Sequence, residues 1–194
     1  MEFGICVASH IGDIGYIERA EALGYTHAWC ADSQMLWSDC YATLALAASR
    51  TSRINLGTGV AVTGTRPAPV NAAGIATINA LAPGRTFFGV GAGNTAMRVM
   101  GKAPHRLREY DAYLAAMRPL LAGEEAMWEG KPIRHIMPDK GIRQLRVTNP
   151  HVRLRVRPQI AGPGGQAWRR CGDCHGRASR SHGQRAAHDR QWCT

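Results

Sequence analysis

Ile54-Asn55-Leu56-Gly57-Thr58-Gly59-Val60-Ala61-Val62 is the stretch whose reading decides the fold. It is uncharged, mostly apolar and carries β-branched residues, the pattern of a strand covered on both faces. A helical segment, Pro69–Leu81, follows it. A second apolar run, Arg85–Val90, comes next and leads into Gly91-Ala92-Gly93-Asn94. Continuous apolar strands separated by helices argue for a parallel sheet covered by helices.

The same alternation extends outward from this stretch. Glu2–Ser9 reads as a strand. Asp13–Leu23 reads as a helix, with Ile14, Ile17, Ala20 and Leu23 at helical spacing and Gly24 closing it. Thr26–Ala31 reads as a second strand ending at Asp32, and Tyr41–Ser49 as an Ala/Leu-rich helix. Arg106–Leu121 reads as a fourth helix, with Leu107, Tyr110, Leu114, Met117 and Leu121 on one stripe. Four βα units in order fit either a doubly wound sheet or part of a (β/α)8 barrel. No Gly-x-Gly-x-x-Gly follows the first strand, and Gly89-Val90-Gly91-Ala92-Gly93 lacks the downstream Lys-Ser/Thr of a phosphate loop.

Charge divides the chain. Its 194 residues hold 24 Lys+Arg and 14 Asp+Glu, a net charge of +10. Residues 1–141 are nearly balanced, with 13 basic against 12 acidic residues. Residues 142–194 hold 11 Arg, no Lys, no Glu and only Asp173 and Asp189. Such a segment has little to build a core from, and its composition predicts disorder. No apolar run reaches the roughly 18 residues of a membrane span. The start, Met1 to Ala8, reads as a strand and not a signal peptide, so the expected compartment is the cytoplasm. Cys6, Cys30 and Cys40 lie in apolar runs and are expected to be buried, reduced thiols.

Several further stretches resemble one family. They are Tyr16-Ile17-Glu18-Arg19-Ala20-Glu21-Ala22-Leu23-Gly24-Tyr25 with Trp29-Cys30-Ala31-Asp32, Thr51 to Val60, Arg66-Pro67-Ala68, and Ala76-Thr77-Ile78-Asn79 with Pro83-Gly84-Arg85 and Gly89 to Asn94. In this order and spacing, residues 1–141 resemble the luciferase-like monooxygenase superfamily of FMN-dependent monooxygenases and deazaflavin (coenzyme F-420) dependent reductases. The branch that includes methylene-tetrahydromethanopterin reductase looks closest. The resemblance implies a TIM barrel with the cofactor at its C-terminal mouth and a small organic substrate beside it, for hydride transfer or monooxygenation. It implies that Ala8 and Ser9 border the ring, and that Asp32 is the catalytic acidic group near it. It also implies that Gly59-Val60 carries a non-prolyl cis peptide beside the ring, and that Gly93 and Asn94 approach the pyrimidine edge. The family's common Asp-His pair is here Asp32-Ser33, which removes one proton donor. Met35, Trp37 and Met97 are candidates for an apolar lining. His10 and His27 are candidates to reach the mouth, and no metal is expected. Glu124, Glu125 and Glu129 read as a solvated acidic patch.

The match is expected to end at about Gly141, with no fifth strand after it, so that the barrel is cut to about four βα units plus a basic tail. Residues 142–194 read as a frame-shifted translation. Permitted codons for Ile142 to Asp173, read one base later, admit an open string containing I-P-M-Y-V-S followed by a helix-like segment. The chain as given is therefore expected to be inactive and to self-associate through exposed barrel edges. The tail also holds Cys171-Gly172-Asp173-Cys174-His175, which has the form of a haem-attachment or zinc motif, together with Cys193, His182 and His188. Its arginines would give salt-sensitive nucleic-acid binding without sequence specificity. A basic nucleic-acid- or metal-binding protein is the alternative reading, with chance in an out-of-frame segment preferred for the motif.

Overall fold

The computed structural model describes residues 2–136 and the strand Leu154–Val156. The elements run β1 (Gly4–Val7), α1 (Gly15–Ala22), β2 (His27–Cys30), α2 (Cys40–Arg50), β3 (Asn55–Val62), α3 (Ala68–Leu81) and β4 (Thr86–Gly91). They continue with α4 (Thr95–Val99), α5 (Leu107–Ala122), β5 (Ala126–Trp128), β6 (Lys131–Ile133) and β7 (Leu154–Val156).

Local chemistry sets the helix ends. Asp39 caps α2, its Oδ1 accepting the Ala42 N–H at 2.9 Å. Pro67 precedes α3 and Pro69 stands in its first turn, where a missing N–H costs nothing. The Glu109 carboxylate turns back to accept the Arg106 N–H at 2.6 Å and starts α5. Gly123, at φ 79°, closes α5 in the left-handed conformation that glycine adopts without a Cβ penalty.

β1, β2, β3, β4 and β7 form one sheet in that order, every neighbouring pair parallel. The strand order never reverses, and one core cluster unites the strands with α1, α2, α3 and α5. A doubly wound sheet would reverse its order and split its helices between two faces. The winding is therefore that of a barrel. Ala28, Cys30, Leu56, Phe88 and Val90 point from the strands into the helical layer. A polar chain crosses that layer: Tyr41 Oη donates to Asn71 Oδ1 at 2.8 Å, and Asn71 Nδ2 donates to Tyr113 Oη. It satisfies polar groups that burial would otherwise penalise.

The inner face of the sheet is paved differently. The Trp29 and Phe87 rings lie there with centroids 4.4 Å apart, and His27 tilts against Phe87 at 5.6 Å. Gly57 and Gly59 leave room for them. A Cβ at 57 would strike the Phe87 carbonyl oxygen and ring, and one at 59 would come within 2.7 Å of Trp29 Cβ. The inner face thus trades side chains for aromatic plates lying close to the backbone.

Several expectations need correction. Leu154–Val156 does pair in parallel with β4, Phe88 facing Leu154 and Val90 facing Val156. Flanking arginines hide its pattern, and pairing with the edge of β4 makes it a strand. The remaining residues of the tail, Cys171 to His175 among them, lie outside the described residues. The short helix α4 and the antiparallel hairpin β5–β6 have no counterpart in the sequence reading. The hairpin is held by packing, Trp128 standing edge-on to Tyr113 at 5.8 Å. The buried face of α5 is Tyr110, Tyr113, Ala116, Met117, Leu120 and Leu121, while Leu107 is exposed, as is Leu23 after α1. Cys30 and Cys40 are buried, but Cys6 is exposed on the inner side of β1.

Candidate active site at the carboxyl end of the sheet

The carboxyl ends of β1 to β4 meet at one rim. At the end of β1, Ala8 is exposed and Ser9 is fully buried, its hydroxyl donating to the Ala31 carbonyl. The Ser38 N–H donates to Ser9 O at 2.7 Å, and Ser38 Oγ accepts the Ile11 N–H at 3.1 Å. These bonds tie the first two βα loops together.

Asp32 ends β2 and is 3% exposed. Its carboxylate is fully engaged. Arg66 Nη1 donates to Oδ1 at 2.7 Å and to Oδ2 at 2.6 Å, Gln34 Nε2 donates to Oδ1, and the Val62 N–H reaches Oδ2 at 3.4 Å. Burial pushes the Asp32 pKa above the ordinary carboxylate value, while Arg66 and the Val62 N–H pull against that. Arg66 Nη2 also donates to Asp39 Oδ2 at 2.7 Å, and its guanidinium lies 5.2 Å from the Tyr41 ring centroid. Arg66 thus joins the end of β2, the start of α2 and the turn after β3.

The Gly59–Val60 peptide bond is cis, as the resemblance implies, and the β3–β4 register shifts between Thr58 and Ala61. After β4, Gly93 is buried at φ 75°, its α-carbon against Val62. Asn94 is exposed, and its Oδ1 accepts from Arg98 Nε at 2.6 Å. Ser9, Asp32, Gly59, Val60, Gly93 and Asn94 therefore come from four strand ends onto one rim. Met97 packs with Val62 and Ala96 beneath it, whereas Met35 and Trp37 are exposed at its lip.

His27 begins β2 and so lies at the opposite end from the mouth. His10 follows β1 on the rim side and is exposed. The sequence reading missed His105, whose Nδ1 lies 3.0 Å from Thr63 Oγ1 and whose N–H donates to Ala92 O at 3.3 Å. It also missed Gln34 and Arg66 as members of the site. Arg66 stands in the quoted Arg66-Pro67-Ala68, and that was the available signal.

Burial pushes Cys30 up to about 12 and Cys40 well above its ordinary value, so both stay protonated. A cavity of about 260 Å³, lined by Glu21, Tyr25, Arg53 and Asn55 among others, opens at the amino end of the sheet, away from the rim. Among the described residues, no group of three or more His, Cys, Asp or Glu is placed to hold a metal ion. No helix among them is long and apolar enough to cross a membrane.

Known proteins resemble the chain in sequence or in fold. The luciferase-like monooxygenase family model matches residues 1–169. The 5,10-methylenetetrahydromethanopterin reductase of Methanolobus tindarius is 34% identical over 123 residues, covering 61% of this chain and 37% of that protein. The coenzyme F-420 dependent tetrahydromethanopterin reductase of Methanopyrus kandleri superposes with a TM-score of 0.65 at 24% identity, covering 80% of this chain and 49% of that one. The oxygenating constituent of 3,6-diketocamphane monooxygenase from Pseudomonas putida, in complex with FMN, gives 0.57 at 15% identity, covering 70% and 43%. The chain spans half or less of the length of each of these three. With the barrel winding and the family match over most of its residues, the chain belongs to the luciferase-like monooxygenase family.

Proposed function

We propose that this chain carries the ring-facing part of a flavin- or deazaflavin-dependent oxidoreductase acting on a small organic substrate. The observation that supports the reading is the convergence of Ala8, Ser9, Asp32, Gly59-Val60, Gly93 and Asn94 on the carboxyl rim of a parallel barrel sheet. Barrel enzymes place their chemistry on that rim. The residues present fit a planar, hydrogen-bonding ring. Gln34 Oε1 is buried there with no partner among the described residues, and glycines hold the backbone open around Val60 and Val62. When bound, FMN or coenzyme F-420 would supply hydride transfer or, for FMN, oxygenation.

The chain's own residues would position the reactants. Ala8, Ser9, the Gly59-Val60 peptide, Gly93 and Asn94 would hold the ring, as the resemblance implies. Asp32, held by Arg66, would fix the local charge beside the ring. Orientation of this kind is what a protein contributes to cofactor chemistry.

Residues 142–194 are, on this proposal, a frame-shifted translation. Eleven Arg without one Lys, and the open string in the next frame, support it. The resemblance puts the cofactor phosphate on later strands, so the chain as given holds the ring weakly and does not turn over. The test is a titration of the purified chain with FMN and with coenzyme F-420, beside a version with the frame restored. Weak binding by the first and tight binding by the second is the expected result. Tight, stoichiometric binding by the chain as given overturns the inactivity. Absence of binding by both overturns the cofactor reading.

A further inference from the structure

Gln34 presents a buried hydrogen-bond acceptor that nothing inside the described protein uses. Its Nε2 donates to Asp32 Oδ1, while its Oε1 is buried and has no partner. The amide orientation follows from chemistry. An ionised carboxylate only accepts, so the group facing Asp32 must be the NH2 end. Turning the amide over would set two acceptors against each other at Asp32. A buried acceptor left unpaired costs about 1–3 kcal/mol relative to one that is bonded.

The backbone holds Gln34 in this position. Residues 33–37 form a turn in which the Leu36 and Trp37 N–H groups donate to Ser33 O at 3.2 and 3.0 Å. Met35, at φ 67°, occupies the left-handed region that non-glycine residues seldom adopt. A strained residue beside a site is kept where the surrounding structure requires it. Asp32 has Arg66 and the Val62 N–H on its remaining lone pairs, so its carboxylate offers no acceptor to an incoming group.

We infer that Gln34 Oε1 is the ligand-facing acceptor of the mouth, receiving a hydrogen bond from an O–H or N–H of the bound substrate or ring, and that Asp32 acts through it as a positioning residue. The inference rests on the ring-facing reading above and adds a specificity to it. A ligand bearing a donor is held, and its donor-less counterpart gains nothing from Gln34. Neutral donor recognition of this kind discriminates by leaving the acceptor unpaired when the donor is missing.

The test compares the full chain with Gln34→Met, which has a similar length and no acceptor. Two measurements are made. One is thermal unfolding without ligand. The other is quenching of tryptophan fluorescence, Trp37 being exposed three positions away. The probes are cyclohexanol against cyclohexanone for the substrate source, and lumiflavin against 3-methyl-lumiflavin for the ring source. The expected result is a modest fall in Tm for Gln34→Met, from loss of the single Nε2–Asp32 bond, and about tenfold weaker binding of one donor-bearing probe with its donor-less counterpart unchanged. The pair that responds identifies the source. A fall in Tm of more than about 12 °C, beyond what the one lost Nε2–Asp32 bond explains, would mean that Oε1 also has an internal partner, and overturns the inference. So does an equal response of both members of each pair. If neither the chain as given nor the frame-restored version binds lumiflavin or cyclohexanol, the ring-facing reading fails, and a fall in Tm beyond that of the one lost bond still judges the acceptor.

Discussion

Arg66 Nη1 grips both carboxylate oxygens of Asp32, at 2.7 and 2.6 Å, from a position 34 residues further along the chain. The pair joins the ends of β2 and β3 at the rim, and Asp32 is almost completely buried there. Taking away one partner of a buried pair costs more than the pair itself contributes, because the other charge stays behind without water.

Arg66→Met is therefore expected to lower stability by about 3–5 kcal/mol at neutral pH. The pH dependence has a definite sign. Burial already raises the Asp32 pKa above 3.8, and loss of Arg66 raises it further. The folded variant then takes up a proton more readily than the unfolded chain. Its penalty shrinks as pH falls toward the folded pKa and is smallest below it. Denaturant unfolding at pH 7 and pH 5 checks this, and an equal penalty at both would count against it.

Glu21 is a carboxylate clamp at the opposite end of the sheet. Its Oε1 accepts the N–H groups of Ser52, Arg53 and Ile54 at 2.9, 2.6 and 2.9 Å. Burial pushes its pKa up, but the three N–H groups together outweigh that and hold it below 4.5. The stabilisation is complete above the unfolded value and is lost as pH falls through the folded one. Glu21→Gln is expected to cost about 1–2 kcal/mol at pH 7. It should also flatten the stability curve of the chain below pH 4.5. Thermal melts from pH 3 to pH 7 would read both effects.

Gly57 faces the Phe87 backbone and ring with no room for a methyl group. Gly57→Ala must push two paired strands apart, since a carbonyl oxygen in a sheet cannot swing aside. A cost of about 1–3 kcal/mol is expected. Gly12→Ala serves as the control, its Cβ meeting only His10 at an ordinary 3.4 Å. Similar melting temperatures for the two variants would show that the inner face is looser than the geometry indicates.

The alternation of apolar strands and amphipathic helices was legible from residue to residue, because each element's period is a local property. Strands at 4–7, 27–30, 55–62 and 86–91, and helices at 15–22, 40–50, 68–81 and 107–122, match the segments the pattern marks to within two residues at each end. The quoted motifs were enough to indicate the family. The barrel winding was not legible by itself, because strand order depends on which edges meet, and two architectures share the same alternation.

The tertiary structure alone decided the rest. Leu154–Val156 became a strand because the edge of β4 offered pairing, not because its own sequence alternates. The Tyr41–Asn71–Tyr113 chain, the Arg66–Asp32 pair and the His105–Thr63 contact join residues 30 to 42 positions apart. No window of sequence encodes such distances. Gln34 looked like any polar loop residue until the turn at Met35 buried one end of its amide against Asp32 and left the other unpaired. Local periodicity specifies which segments are strands and helices. Only the closure of those segments onto one another decides which polar atoms find partners, and which are left without one.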